Sequence, residues 1–394
     1  MNSLIDIRNE EALLLGLCRL EFSEAYVKKI STLFSTITDW NYFGSLANSH
    51  GVAALVYHNF EKLKLLQFIP EGAVAFLRNS LMKNLGRNEF NGEIMREVLS
   101  LLNHEKIKTV LLKGMALELT VYGNAGLRQM SDVDILIRKD QCINARNILI
   151  ADGFVSHPVK SIIHKLILGT LGKHLPSLKK KGAFVEIHHQ LFGNRKNELT
   201  RQLYETSYEI DLKGEKVFIP QPQIFFLYLV RHLWLHEMNN ESQLRLYTDL
   251  VVLIEKNPDS IINYDLLDYA SQAGMAEILA GRLEVLRDVW GVQFPSWIDD
   301  FISKWYDPRS IDRFILFLKS PKGNPPLHKA WYYRHRISEI PGLHRKLLFV
   351  AGDILPTISF MKERYKCKSG WQVLLYYPHR LGKILYLFKR KKDI

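Results

Sequence analysis

The chain has 394 residues, of which 47% are hydrophobic and 24% are charged, with 53 lysines and arginines against 41 aspartates and glutamates. A chain of this length and apolar content can bury a large core, and we expect two or three packed units. Its three cysteines, Cys18, Cys142 and Cys367, lie far apart. This spacing favours a reducing compartment and excludes a zinc ribbon built from cysteines.

Two features argue against export and membrane insertion. Residues 1–11 contain no basic region followed by an apolar core, so we expect no signal peptide. The most hydrophobic stretch, Ile224 to Val230, is interrupted by Arg231 and His232, so we expect no membrane span. We therefore expect a cytoplasmic protein.

The first hundred residues have the spacing of helices. Apolar residues recur at intervals of three and four over Glu10–Leu20, Glu24–Phe34 and Ala73–Leu102. We predict a helical N-terminal subdomain over residues 1–104.

Strand and helix signals alternate over residues 105–220, for which we predict a mixed sheet. A helix is expected at 140–151, and Pro220 and Pro222 end the sheet because closely spaced prolines cannot continue a ladder. Short β-prone runs predict strands at Val110–Leu112, Val133–Ile137, Phe184–His188, Tyr208–Leu212 and Lys216–Ile219.

Acidic side chains on two of these strands predict a metal site. Asp132 and Asp134 are two residues apart, so strand alternation directs both carboxylates to one face. Glu186 lies mid-strand between apolar neighbours, where a carboxylate needs a cation or a hydrogen-bond partner. Such oxygen clusters suit Mg²⁺, and paired metals serve phosphoryl transfer. His188 shares the face of Glu186; it contacts phosphate, water or metal, or it is a structural histidine.

Three further residues can act on an anion near this cluster. Gly114, at a strand-to-helix turn, allows backbone N–H groups to approach phosphate. Lys113 and Arg128 add positive charge. Arg128 either neutralises charge on a leaving group or forms a structural pair with Asp132 or Asp140.

Helical spacing returns over residues 221–318, where we predict a helical domain. Helices are expected at Phe225–His236, Leu244–Ile254, Tyr264–Gln272 and Ala276–Val289. Arg245 and Asp249 are four residues apart, so they either pair within their helix or line the cleft of the site.

The C-terminal segment, residues 319–394, is basic and rich in aromatic residues. It holds 17 lysines and arginines against 4 acidic residues, whereas the whole chain has a net charge of +12. Basic and aromatic residues interleave at Trp331–Arg336 and Leu381–Lys392. This pattern can bind RNA, lie on an anionic membrane surface at the inner face of the membrane, or form a solvated basic face.

The chain resembles the bacterial "uncharacterised nucleotidyltransferase" family of the DNA polymerase beta-like nucleotidyltransferase superfamily. The resemblance covers residues 101–254 and extends more loosely to the C-terminal end. The motifs that carry it are Leu112-Lys113-Gly114, Tyr122 with Arg128, Asp132-Val-Asp134-Ile-Leu-Ile137 and Val185-Glu186-Ile-His188.

This resemblance implies an α+β fold, a minimal nucleotidyltransferase mixed sheet flanked by the two helical regions. It implies that Asp132, Asp134 and Glu186 are catalytic residues that bind Mg²⁺ or Mn²⁺, and that Gly114 faces phosphate. The implied reaction moves NMP from an NTP donor to an acceptor hydroxyl.

Three hypotheses about the acceptor and the activity follow. The acceptor is a small molecule, glycan or peptide of an envelope or natural-product pathway. Alternatively, the chain modifies RNA or protein, as toxin–antitoxin relatives of the superfamily do. In the third hypothesis, it is a catalytically idle protein that binds a membrane surface or acts as a scaffold.

Overall fold

A computed structural model describes residues 7–157, 160–166, 173–192, 197–238, 243–319, 333–334, 337–338, 340 and 342–389. Most of the predicted basic and aromatic run at 331–336, and the last residues of the second run, lie outside these ranges.

Helices fill the chain before the sheet. Two of them begin at side-chain caps: Ser23 Oγ accepts a hydrogen bond from the Tyr26 backbone N–H, and Asp39 Oδ1 accepts one from Tyr42. The apolar faces of these N-terminal helices bury large side chains such as Phe43 and Phe60. The bounds are α1 Asn9–Gly16, α2 Glu24–Phe34, α3 Trp40–Ser49, α4 Ala53–Lys62 and α5 Glu71–His104.

The fold is α+β, as predicted, and its centre is a mixed sheet of seven strands in the order β3-β4-β5-β2-β1-β7-β6. Pairs β2–β5 and β1–β7 are parallel, and the other neighbours are antiparallel. The strands are β1 Val110–Leu111, β2 Val133–Leu136, β3 Val155–Ser156, β4 Leu178–Lys180, β5 Ala183–His188, β6 Tyr208–Leu212 and β7 Glu215–Ile219.

The central strands are buried on both faces. Strand β2 has no exposed residue, and its Val133 and Ile135 are fully buried between the helical layers. The helices around the sheet are α6 Lys113–Leu117, which continues as a π-helical turn over Glu118–Tyr122, α7 Cys142–Ala151, α8 Ile162–Leu166 and α9 Asn197–Thr206.

Helices follow the sheet again. They are α10 Pro222–Met238, α11 Leu244–Lys256, α12 Pro258–Ile261, α13 Tyr264–Gln272, α14 Ala276–Asp288, α15 Ser296–Lys304 and α16 Ser310–Lys319. One continuous apolar core runs from Leu13 in α1, through the sheet, to Leu318 in α16. The predicted unit boundaries at residues 104, 220 and 318 stay predictions.

The C-terminal helices pack on the inserted helix α8 rather than into this continuous core. The Lys160 ammonium pairs with the buried Asp353 carboxylate, and the Thr357 N–H donates to the Lys160 carbonyl at 2.9 Å. These helices are α17 Leu343–Ile354, α18 Ile358–Tyr365 and α19 Gly370–Lys389. Among the described helices, none is both long and apolar enough to cross a bilayer.

Candidate functional site

The parallel pairing of β2 with β5 brings two of the predicted acidic residues together. Asp134 and Glu186 are directly opposite in the register of these strands, and Leu136 is opposite His188. Side chains two residues apart on a strand share a face, so Asp134, Glu186 and His188 converge. One ligand atom from each of the three lies within 4.8 Å of the other two. Sequence spacing alone does not determine this register.

Lys113 supplies the charge opposite Asp134. Its φ of +47° lies in the left-handed region, which turns the chain sharply between β1 and α6. Its Nζ donates to Asp134 Oδ1 at 2.6 Å. Burial favours the neutral Asp134 carboxyl, but the Lys113 ammonium and the His188 hydrogen bond outweigh burial and hold the pKa of Asp134 well below its ordinary value. Asp134 is therefore ionised within an ion pair.

The imidazole of His188 bridges the two carboxylates. Its Nε2 donates to Asp134 Oδ1 at 2.7 Å and lies 3.6 Å from Glu186 Oε2, while its buried Nδ1 has no hydrogen-bond partner. Burial opposes ionisation of Glu186, but the neighbouring imidazoles of His188 and His174 lower the pKa of Glu186. The Glu186 side chain is 22% exposed, against 3% for Asp134. Glu186 is thus the carboxylate of this pair that an incoming molecule reaches first.

Asp132 lies at the margin of the group. It precedes β2 by one residue, and its carboxylate accepts a hydrogen bond from Ser131 Oγ at 2.9 Å. Burial and the negative charge of Asp134 raise the pKa of Asp132. The charge of Asp134 therefore acts on Asp132, but Asp132 lies outside the three-residue cluster.

Gly114 is buried within α6, and the space around it is closed. A Cβ atom added there would lie 2.4 Å from Arg128 Nη1 and 2.6 Å from Met130 Sδ. The left-handed residue of this turn is Lys113 rather than the glycine. The structure thus gives Gly114 a packing reason: it lets Arg128 and Met130 approach the α6 backbone.

Arg128 forms its buried ion pair with Asp249, and not with Asp132 or Asp140, the two partners considered from the sequence. Its Nε and Nη2 donate to Asp249 Oδ1 and Oδ2 at 2.8 and 2.7 Å, and Tyr122 donates to the same Oδ1 at 2.9 Å. Asp140 pairs instead with Arg138. Arg245 donates to the Gln129 carbonyl, so the intrahelical pair with Asp249 does not form. Arg128 and Asp249 join the loop before β2 to helix α11.

Two residues of α10 lie near the site and were not predicted from the sequence. Burial raises the pKa of Tyr228, while the charge of Lys113 lowers it and the charge of Asp134 raises it. Burial and the Lys113 charge hold the pKa of His232 well below its ordinary value. The available signal was their spacing of four residues, because that spacing directs both side chains to one side of the helix.

The donor atoms fit a divalent cation. The two carboxylates are ligands that Mg²⁺ and Mn²⁺ accept, whereas an imidazole more often binds other transition metals such as zinc and iron. The atom that His188 turns toward both carboxylates is Nε2, so Nε2 is the nitrogen that could join them in holding a cation.

The model of a protein family described as "Uncharacterised nucleotidyltransferase" matches residues 36–291. The chain belongs to this family. The match includes the whole sheet and the cluster of Asp134, Glu186 and His188, and it ends before the C-terminal helices. It confirms the resemblance, and nucleotidyl transfer is the class of activity that this membership supports.

Two solved structures share similarity with the chain. One is an antigenic nucleotidyltransferase-like protein from Paracoccidioides brasiliensis, with 15% identity and a TM-score of 0.33 over 53% of this chain and 95% of the other. The second is a tRNA-processing enzyme in an apo form, with 14% identity and a TM-score of 0.24 over 76% of this chain and 90% of the other. No curated protein matches the chain.

Proposed function

We propose that this nucleotidyltransferase-family chain moves NMP from an NTP to an acceptor hydroxyl, and that the reaction depends on Mg²⁺ or Mn²⁺. The observation that carries the proposal is the register of β2 and β5, which sets Asp134 opposite Glu186 with His188 on the same face. In this reaction a bond forms between the acceptor oxygen and the α-phosphorus, and the bond from that phosphorus to the bridging oxygen of pyrophosphate breaks.

The proposed metal ligands are Asp132, Asp134 and Glu186, with His188 beside them. A bound divalent cation would neutralise the triphosphate and polarise the reacting phosphoryl group. Glu186 is the more exposed carboxylate of the pair, and we assign it the proton of the acceptor hydroxyl.

Lys113 has the second role in the proposal. Its ammonium donates to Asp134 at 2.6 Å and is largely buried, so it balances the negative charge of the cluster without a nucleotide. We propose that it turns to the β- and γ-phosphates when the nucleotide binds, beside the Gly114 turn. The proposed action of Arg128 on the leaving group is less favoured, because its Nε and Nη2 already donate to Asp249 and its Nη1 donates to the Gln129 carbonyl.

For the acceptor, we retain a small molecule, glycan or peptide of an envelope or natural-product pathway as the first proposal. Transfer onto RNA or protein is the alternative. A catalytically idle scaffold is the remaining one, and it predicts an intact fold that binds no nucleotide.

The test is calorimetric titration of each NTP, in non-hydrolysable form, into the full chain with Mg²⁺, with Mn²⁺ and with a chelator. Glu186→Gln removes the accessible carboxylate. Asp134→Asn combined with Lys113→Met removes the buried charge pair together, so that neither partner is left unpaired. Asp140→Asn is the matched control, because Asp140 is an exposed carboxylate just beyond β2 that contacts Arg138.

We expect metal-dependent binding of one NTP by the wild-type chain and by Asp140→Asn, and loss of about tenfold or more in the two site variants, since each removes a proposed contact. Binding that is equal in all variants, or that is unaffected by the chelator, would refute the metal site. If no NTP binds under any condition, the idle scaffold becomes the better description.

A further inference from the structure

The last helix, α19, contains Pro378 and exposes apolar side chains along one side. In α19, residues spaced by three and four positions lie on one side of the helix. Trp371 is 81% exposed and Leu375 is 77% exposed. The exposed residues on this side, which we call the α19 stripe, are Trp371, Leu374, Leu375, Leu381 and Leu385.

The opposite side of α19 is attached to the protein. Val373 is fully buried, the Tyr377 hydroxyl donates to the Pro356 carbonyl at 2.6 Å, and Arg380 Nε donates to the Asp353 carbonyl at 2.8 Å. These contacts fix the rotation of the helix about its axis. The α19 stripe therefore faces outward, because the opposite side of the helix packs against the protein.

Exposed apolar residues are concentrated in this part of the molecule. Eleven of the twenty-four large hydrophobic residues exposed in the described chain lie between 343 and 385. Outside α19 they include Leu343, Leu347 and Ile358, each of which is more than half exposed. Scattered apolar residues on a surface need no explanation, whereas a concentrated group marks an interaction site.

The same helices carry a strong positive charge. The exposed basic residues are Lys362, Arg364, Lys366, Lys368 and Lys383. Over residues 342–389 the acidic residues are Asp353, which is buried against Lys160, and Glu363. Almost all the exposed charge of this surface is therefore positive, and Lys366 and Lys368 lie shortly before Trp371, the first residue of the α19 stripe.

We propose that the α19 stripe and its flanking lysines dock the protein on an anionic lipid bilayer, with α19 lying in the plane of the interface. Leucine side chains enter the boundary between headgroups and acyl chains, tryptophan is favoured at that depth, and lysines contact anionic headgroups.

Two other occupants fit the surface less well. RNA needs basic groups with aromatic faces for stacking, whereas four of the five stripe residues are leucines, which cannot stack on bases. A second copy of the chain would bring two basic surfaces together, and their repulsion opposes a dimer. An anionic bilayer satisfies both the apolar stripe and the charge.

The docking surface is joined to the sheet. Lys160, which pairs with Asp353, and α8 lie in the connection between β3 and β4, and β4 pairs with the strand that carries Glu186. Docking through α19 would therefore attach the bilayer to helices that pack on the insertion between β3 and β4. The proposal itself does not depend on the activity of that site.

The experiment is co-sedimentation of the full chain with vesicles of phosphatidylcholine alone and of phosphatidylcholine mixed with phosphatidylglycerol, at low and high salt. We expect binding to the anionic vesicles that weakens as salt rises. Leu374→Gln with Leu375→Gln should reduce this binding about tenfold or more, because apolar burial in the interface is lost. Phe68→Gln is the control, since Phe68 is an exposed apolar residue, 65% accessible, on the N-terminal region.

Further variants separate the two parts of the surface. Lys366→Gln with Lys368→Gln should weaken binding to anionic vesicles and reduce its salt dependence. A blue shift of tryptophan fluorescence on vesicle addition should disappear in Trp371→Phe, which does not disturb the fold because the ring is exposed. Thermal unfolding checks that every variant remains folded.

Three results would overturn the proposal. Equal binding to neutral and anionic vesicles would contradict the role of charge. Retention of an RNA oligonucleotide, lost in the Leu374/Leu375 variant while vesicles are ignored, would assign the surface to RNA. A dimer in solution that the same variant converts to monomer would assign it to a second copy of the chain.

Discussion

The buried ion pair between Arg128 and Asp249 allows a quantitative test of how the loop before β2 is held. Asp249 accepts both guanidinium hydrogen bonds and the Tyr122 hydroxyl, and both charged side chains are almost completely buried. Asp249→Asn keeps the size of the side chain and removes its charge. It leaves the Arg128 guanidinium buried without a counter-charge, which typically costs about 3–5 kcal/mol of unfolding free energy.

Removing both charges should be much less harmful. Arg128→Met with Asp249→Leu replaces the pair by apolar side chains of similar length, and such replacements are often close to neutral. We therefore expect the double variant to recover at least about 2 kcal/mol relative to the sum of the two single variants. Urea unfolding of the full chain, followed by circular dichroism and fluorescence, measures each value.

An exposed pair provides the control. Arg201 contacts Glu198 and Glu205 on the surface of α9, and Arg201→Gln should cost less than about 1 kcal/mol. If Asp249→Asn costs as little as this control, or if the double variant equals the sum of its singles, the reasoning about the buried pair is wrong. If the double variant is stable but binds NTP more than about tenfold less tightly, Arg128 also acts on phosphate, in line with the hypothesis that it neutralises charge on the leaving group.

Two further predictions concern a glycine and a glutamate. Gly114→Ala should destabilise the chain by about 1–3 kcal/mol, since the added Cβ would overlap Arg128 and Met130. Gly86→Ala, in an open stretch of α5, should instead stabilise the chain by about 0.5–1 kcal/mol. Thermal unfolding of both variants measures these effects, and equal effects would contradict the packing argument. Burial, with repulsion from Glu89, raises the pKa of Glu118 from 4.5 to about 7, so the folded state binds its proton more tightly than the unfolded state. The unfolding free energy should therefore fall by about 1–3 kcal/mol as the pH rises from 4.5 to 7, and urea titrations across this range should show that Glu118→Gln removes this component.

The family and the fold class could be predicted because their signals are local. The Asp-x-Asp spacing, the glycine turn and the Val-Glu-Ile-His run lie within short segments, and their spacing follows from the two-residue period of strands. The predicted strands at 184–188, 208–212 and 216–219 match β5, β6 and β7 within a residue. Strand β4 was missed because its sequence, Leu-Lys-Lys, contains no β-branched or aromatic residue.

The pairing of side chains could not be predicted. Lys113 and Asp134 meet because β1 and β2 are antiparallel neighbours, and Asp134 meets Glu186 because of the register between β2 and β5. The partner of Arg128 is 121 residues away, on a helix whose own spacing pointed to Arg245 instead. Asp132 lies just outside β2, so strand alternation does not bring it into the cluster with Asp134.

The C-terminal region shows which properties the sequence determines and which properties the tertiary structure determines. The sequence alone established that residues 319–394 are basic and that basic and aromatic residues interleave within them, because charge and residue order are properties of the chain itself. Only the tertiary structure decided which side of α19 is covered, through the contacts of Tyr377 and Arg380 with residues 353–356. Helical spacing places apolar residues on one side of a helix, whereas tertiary packing determines whether that side is buried or exposed.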